Sequence, residues 1–315
     1  MKYAVLSDIH GNLPALEAVL RDARSRGADH FLLLGDYCLS NPWPDRCLDT
    51  IFSLPDATVI RGNEENYLEN LQGKDPALWT DGQMQISYWT YRHVSDENRR
   101  TLLALPWQAR LTCHGASLTL VHDSTAFLAG RERACLDPVR AWLHRRTGAE
   151  TAVSFQHYAE AVLARDEAFL QAADALEDGI YLFGHTHCQW QLPSRDGRKL
   201  FLNPGSCGLP LDGGAGTTPY ALLEIRPDGT WHAESIRIPF DRAAACRAIR
   251  ESSQFTEAHV WSQVVCRELE TGLEHMTFFL QFMDAYARRI GDDRRPYAVD
   301  TWENGWRQWL SEWKP

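Results

Sequence analysis

The chain has no Cys-x-x-Cys pair, no internal repeat, no low-complexity segment and no apolar run near the ~20 residues of a membrane-spanning helix. Its eight cysteines stand singly between Cys38 and Cys266. A chain of 315 residues can bury a core without covalent staples, so reduced thiols are expected rather than a disulfide framework. A cysteine-based zinc site is correspondingly disfavoured. Positive charge is scarce too: 32 Lys and Arg stand against 42 Asp and Glu, for a net charge of −10, and no basic stripe occurs. That balance argues against a long nucleic acid or an anionic membrane as partner. Residues Met1 to Asp8 turn polar too soon for a signal peptide, so a cytoplasmic location is expected. The remainder, 44% hydrophobic and 23% charged, is ordinary globular composition.

Apolar patterning sets out the elements. Residues 3–7 read as a buried strand, and Leu13, Leu16, Val19, Leu20 and Ala23 then recur at helical spacing until Gly27. His30 to Leu34 and Thr58 to Ile60 read as further strands, separated by the loop Asn41 to Pro44 and a short helix near 45–53. This β-α-β-α-β order implies that part of a sheet is parallel. Residues 64–105 read as helical. Two strands follow about Gly115, then a helical stretch over 131–175 broken near Thr147-Gly148, then a strand from Ile180 to Phe183. Short strands near 189–192, 199–203, 219–225 and 230–238 make the latter half read as more antiparallel. The expected fold class is therefore α/β (α+β): a two-sheet β-sandwich of mixed strands flanked by helices. From Asp241 the pattern is helical, with Val260, Trp261, Val264, Val265 and Leu269 on one face, extended by Met276, Phe279, Leu280, Met283 and Tyr286, and with Trp302, Trp306, Trp309 and Trp313 at the end. We expect a domain over 1–240 and a helical extension over 241–315 packed on it; the same aromatics could instead form a lid or a partner surface.

Five motifs punctuate the first part: Asp8-x-His10, Gly35-Asp36, Gly62-Asn63, His122 and Gly184-His185-x-His187. Each taken singly is weak. An Asp-x-His pair could be a surface turn, Asp36 a helix cap, Asn63 a turn residue and His122 a satisfied core histidine. Two histidines spaced by one residue after a strand are harder to explain by packing. Together the motifs repeat one context, an apolar strand and then a ligand. Asp8, His10, Asp36, Asn63, His122, His185 and His187 make seven oxygen and imidazole ligands with no thiolate, a set that suits two divalent ions side by side and hence attack on a phosphate ester.

On these motifs, and on Asn203-Pro204-Gly205-Ser206, the chain resembles the calcineurin-like metallophosphoesterases over roughly residues 1–240. The resemblance implies a β-sandwich flanked by helices. It assigns Asp8, His10, Asp36 and His187 to one ion, and Asp36, Asn63, His122 and His185 to the other, with Asp36 bridging. Manganese is the favoured metal, with iron, zinc, cobalt or nickel also compatible. A water shared between the ions would become the attacking hydroxide, so no protein nucleophile is needed. The expected substrate is a small phosphorylated molecule.

Two departures from the family pattern stand out. Many relatives carry a histidine after Gly-Asn that contacts phosphate and can protonate the leaving group; here that residue is Glu64. A carboxylate there is a poor proton donor and repels a phosphate dianion more than a monoanion, so phosphodiesters are favoured over monoesters. Alternatively, Glu64 points away as the first residue of a helix. Asp123 follows His122 where glycine is common, and could orient a ligand histidine or simply serve a turn. Asn12 matches a position near the active site of relatives, which makes Asp36, Glu64 and Asn12 the candidate catalytic residues. Arg61 could be structural or touch phosphate, and Cys188 could be an oxidation-sensitive thiol or a packed side chain. A competing reading is a metal-binding scaffold that docks a protein partner through the C-terminal aromatics.

Overall fold

The structure, a computed structural model, describes residues 1–144, 152–214 and 216–312. Ten strands form two five-stranded sheets. In the first, the order is β10 (Trp231–Pro239), β9 (Thr217–Ile225), β1 (Lys2–Leu6), β2 (His30–Leu33), β3 (Ala57–Val59). In the second it is β4 (Gln108–Cys113), β5 (Ala116–Val121), β6 (Gly179–Leu182), β8 (Lys199–Pro204), β7 (Gln189–Pro193). Side chains alternate across each strand, and both faces are covered. Tyr3 and Val5 of β1 meet Leu118, Leu120, Ile180 and Leu182 in the core between the sheets. Ala4 and Leu6 point the other way, against the helix Leu13–Ser25, whose buried face includes Leu16, Val19 and Leu20. On the outer face of the second sheet, Phe183 and Phe201 pack under the helices Ala152–Leu163 and Glu167–Asp174 through Phe155, Leu163 and Phe169.

The latter half is the more antiparallel, as its sequence suggests, but it holds parallel pairs as well. β5, β6 and β8 run parallel, as do β1, β2 and β3, while β4, β7, β9 and β10 add antiparallel edges. The helical stretch that ends at Asp174 is the crossover that lets β6 return parallel to β5. Each sheet thus holds a parallel trio, and every one of the seven candidate ligands lies just beyond the C-terminal end of such a strand, where open α/β sheets bind ligands.

Residues 64–105 are only partly helical. Helices span Glu65–Glu69, Gln85–His93 and Asp96–Leu103, and the stretch between the first two is made of turns, with one 3-10 turn at Pro76–Leu78. Gly73, Pro76 and Gly82 interrupt that stretch, and Asp75 accepts the Ala77 N–H to start the turn. The expected break near Thr147-Gly148 lies outside the described residues.

Beyond β10, five helices follow: Arg242–Glu251, Ser253–Glu257, His259–Thr271, Met276–Ile290 and Val299–Glu312. His259–Thr271 is apolar on two sides, not on the single face its sequence suggests. Val260 and Val264 join Phe279, Met283, Trp302 and Trp306, whereas Val265 and Leu269 join Ile249, Leu209 and Leu211. Phe279 is caged by Trp302, Trp306 and Trp309, with ring centroids 4.8, 5.3 and 5.9 Å away. A β-bridge between Asp212 and Leu273 and a bond from Gly213 N–H to the Gly272 carbonyl fasten these helices to the loop after β8. Among the described residues, no helix is long and apolar enough to cross a membrane.

Candidate metal centre

The ligand loops adopt costly backbone conformations. Asp8, His10, Asp36, His185 and His187 all have positive φ, between 52° and 69°, a region that non-glycine residues avoid. Such strain persists only where surrounding bonds hold it. Ser206 Oγ donates to the Asp8 carbonyl at 2.7 Å, and the N–H of Cys207 and Gly208 bond to the carbonyls of Ser7 and Asp8. Glu65, fully buried, accepts N–H bonds from Asp36 (3.2 Å), Tyr37 (2.9 Å) and Gly62 (2.8 Å), and so locks the second loop to the third. Burial and the neighbouring Asp36 charge push its carboxyl up to about 7, against the pull of those N–H groups. The motif glycines have a steric reason. A Cβ on Gly35 would lie 2.5 Å from the Gly62 Cα, and one on Gly62 would lie 2.1 Å from Asp36 Oδ1.

A second buried carboxylate, Glu132, organises the other side. It accepts from Ser124 Oγ (2.5 Å), Thr186 Oγ1 (2.8 Å), Trp190 Nε1 (2.9 Å) and Asn203 Nδ2 (3.1 Å). Thr186 stands between the two histidines of the Gly184-to-His187 turn, so this hub pins the residues on either side of it.

All seven candidate ligands converge. His187 Nε2 lies 3.3 Å from Asp8 Oδ1 and 3.0 Å from His10 Nε2. His122 Nε2 lies 3.1 Å from Asp36 Oδ2 and 3.0 Å from Asn63 Oδ1, and His185 Nδ1 lies 2.7 Å from the same amide oxygen. Three sets bring ligand atoms within 4.8 Å of one another: Asp8, His10 and His187; Asp36, His122 and His185; and His10, Asp36 and Glu64.

These atoms fit cations. His122 donates Nδ1–H to the Leu34 carbonyl at 2.7 Å, and His187 donates Nδ1–H to the Leu209 carbonyl at 2.9 Å. In the neutral rings each Nε2 is then a lone pair aimed at oxygen acceptors, an arrangement that is repulsive unless a positive charge sits between. Buried Asp8 Oδ1 has no hydrogen-bond partner among the described residues. Protons can supply part of the missing charge. Burial opposes the charged forms of His10 and His122, yet the Glu64, Asp36 and Asp8 carboxylates raise His10 to about 9, and the Asp36 and Asp8 carboxylates raise His122 to about 10. Burial pushes Asp8 up, but His187, His122 and His10 outweigh it and hold the carboxyl well below its usual range. His185 differs: burial and the charge on His122 lower it.

Glu64 does not point away. Its carboxylate is turned inward, with Oε2 3.0 Å from His10 Nδ1, although the contact lacks hydrogen-bond geometry. Asn12 is spent on the loop: its amide nitrogen donates to the Gly208 carbonyl at 2.8 Å, and its oxygen caps the helix at Ala15 N–H, so it is not part of the pocket wall. Asp123 serves a turn through Thr125 N–H, and its other oxygen is 3.9 Å from His185 Nε2, beyond hydrogen-bond distance. Arg61 is structural, buried between Glu69, Asn66 and the Trp107 ring. Cys188 is fully buried and burial pushes its thiol far up, which makes it inert.

The centre opens into a cavity of about 200 Å³. Its far wall comes from the C-terminal helices and the turn between them: Trp261, Glu268, Glu274, Met276 and Thr277. Arg133 and Arg140, from the helix Arg131–His144, complete it. Sequence reasoning missed Glu65, Glu132, Arg133 and this wall. The doubled acid after Gly-Asn was the one available hint, for Glu65.

The chain belongs to the calcineurin-like phosphoesterase family, whose pattern matches residues 1–189. It is a phosphoric ester hydrolase of a metal-dependent family. Its fold is similar to that of a metallophosphoesterase from Sphaerobacter thermophilus (21% identity, TM-score 0.60, 87% of this chain and 100% of that one). It is also similar to the hypothetical protein PH1004 from Pyrococcus horikoshii (18%, TM-score 0.58, 87% and 99%). In sequence it is 24% identical over 254 residues to the uncharacterized protein MJ0912 of Methanocaldococcus jannaschii, covering 76% of this chain and 87% of that protein.

Proposed function

We propose that the protein is a dinuclear metal-dependent phosphoesterase acting on a small phosphorylated substrate, with phosphodiesters favoured. One observation carries the reading: Asp36 offers a ligand atom both to the set with His10 and Glu64 and to the set with His122 and His185, as a bridging carboxylate must. Asp8, His10, Asp36 and His187 would hold one ion, and Asp36, Asn63, His122 and His185 the other. Oxygen and imidazole donors without thiolate suit manganese first, with iron, zinc, cobalt or nickel as alternatives. Two such ions, when bound, supply Lewis acidity and a water acidic enough to attack phosphorus near neutral pH.

The chain's own residues do the rest. Leu34 and Leu209 carbonyls orient His122 and His187. Asn12 positions the Asp8–His10 turn by tying it to Gly208. The Glu64 carboxylate, 3.0 Å from His10 Nδ1, opposes a phosphate dianion more than a diester monoanion. No imidazole stands at position 64 to donate a proton to the leaving group. The eight free, buried cysteines accord with a reducing, cytoplasmic setting. The helices from 241 onward would form an extension that closes the pocket of the 1–240 domain.

A panel of phosphomonoesters and phosphodiesters, tested with chelated and then metal-repleted protein, checks this. Metal should restore turnover, and Asp36→Asn should lower it by about 1000-fold or more, because both sides lose a ligand. No turnover of any ester under any loading, or an unimpaired Asp36→Asn, would refute it.

A further inference from the structure

We propose that Arg133 is a substrate-binding residue that, together with His185 Nε2, grips an oxygen of the bound phosphoryl group. The proposal rests on the hydrolase reading and adds to it a contact with the substrate anion.

The helix Arg131–His144 carries three arginines whose surroundings differ. Arg131 makes a two-pronged bond to Asp166, with distances of 3.1 and 2.6 Å. Arg140 pairs with Glu274 and approaches Asp137 at 3.5 Å. Arg133 has no carboxylate within ion-pair distance among the described residues, and its exposed side chain reaches the cavity wall. There its Nη1 stands 3.5 Å from His185 Nε2. The position is not accidental drift of a surface chain, because the neighbouring Glu132 anchors the first turn of the helix through its four buried bonds.

That contact is closed only while Nε2 accepts the guanidinium N–H. His185 Nδ1 and His122 Nε2 lie 2.7 and 3.0 Å from Asn63 Oδ1, where the second proposed ion would bind. When Nδ1 lends its lone pair there, the ring proton is on Nε2, and an imidazole N–H faces a guanidinium N–H. Two donors at 3.5 Å call for an acceptor between them. A phosphoryl oxygen satisfies both donors, and a guanidinium matches phosphate better than any other side chain. Across the cavity, Glu274 is neutralised by Arg140, so Arg133 supplies the uncompensated positive charge of the wall.

The test uses full-length, metal-loaded wild type, Arg133→Ala and Arg133→Lys. Calorimetric titration reads inorganic phosphate binding, elemental analysis reads metal content, and steady-state assays on a phosphodiester separate KM from kcat. Arg133→Ala should weaken phosphate binding by about 10-fold or more and raise KM, with metal content unchanged; Arg133→Lys should recover part of the loss. Unchanged phosphate affinity and KM in Arg133→Ala would overturn the proposal. So would loss of metal along with phosphate binding, which would make Arg133 structural, and so would a metal-loaded wild type that binds no phosphate. A wild type that binds metal and phosphate but hydrolyses no ester would sink the hydrolase reading alone and leave the Arg133 result standing.

Discussion

The two sides of the metal centre are built from similar residues but face different surroundings. On one side, Asp8, His10 and His187 lie deep, with the Glu64 carboxylate against His10, and the surplus of negative charge raises that imidazole to about 9. On the other, the Asp36 and Asp8 carboxylates raise His122 as well, to about 10, but His185 is the more open imidazole, its side chain 21% exposed against 12% for His187. It looks out on a free guanidinium, and its pKa is lowered rather than raised. The difference teaches a division of labour. The acidic side is suited to retaining a cation, while the side that pairs an imidazole with an arginine is suited to meeting an anion. Asp36 offers a ligand atom to the set with His10 and Glu64 and one to the set with His122 and His185.

The comparison can be broken first through Glu132, which stands behind the turn carrying one histidine to each side. Glu132→Ala leaves four buried donors without their acceptor and should cost about 3 kcal/mol of stability, read by urea unfolding. A change within error would mean that the turn is held by other means. A narrower change acts on the acidic side alone. Glu64→His replaces the carboxylate beside His10 with a proton donor and should raise monoester relative to diester turnover by about 10-fold. An unchanged ratio would remove Glu64 as the source of preference.

A further change concerns the far wall of the cavity. Burial and the Glu274 charge raise Glu268 from 4.5 to about 8, against N–H bonds from His275 and Met276. Because its folded pKa exceeds the unfolded one, its contribution to stability is full below about pH 4.5 and fades as pH rises through 8. Glu268→Gln should flatten the fall in stability between those limits, measured by denaturant midpoints at fixed metal content. A slope identical to wild type would place the titration elsewhere.

The site was legible where local pattern and chemistry coincide. Asp8, His10, Asp36, Asn63, His122, His185 and His187 each follow a strand, and a strand end is written in a handful of consecutive residues. Glu132 and Arg133 were not legible, because charged residues in the first turn of a helix look like ordinary helix chemistry. Only the packing of that helix over the second sheet buries one and aims the other. Glu274 reaches the pocket beside Arg140, 134 residues earlier in the chain, a contact that no periodicity records. The parallel pairing of β5, β6 and β8 was hidden for a related reason: strand direction depends on the crossover, while the apolar pattern is the same either way. Glu64 shows the limit from the other side. Its identity flagged a departure, but whether it faced the centre depended on the helix it begins.

The account turns on Asp36 serving two ions at once, and metal content measures that most directly. Elemental analysis of metal-loaded, desalted protein should find two ions per wild-type chain and a clear loss in Asp36→Asn at the same protein concentration. Two ions retained in Asp36→Asn, or no bound metal in the wild type under any loading condition, would contradict it.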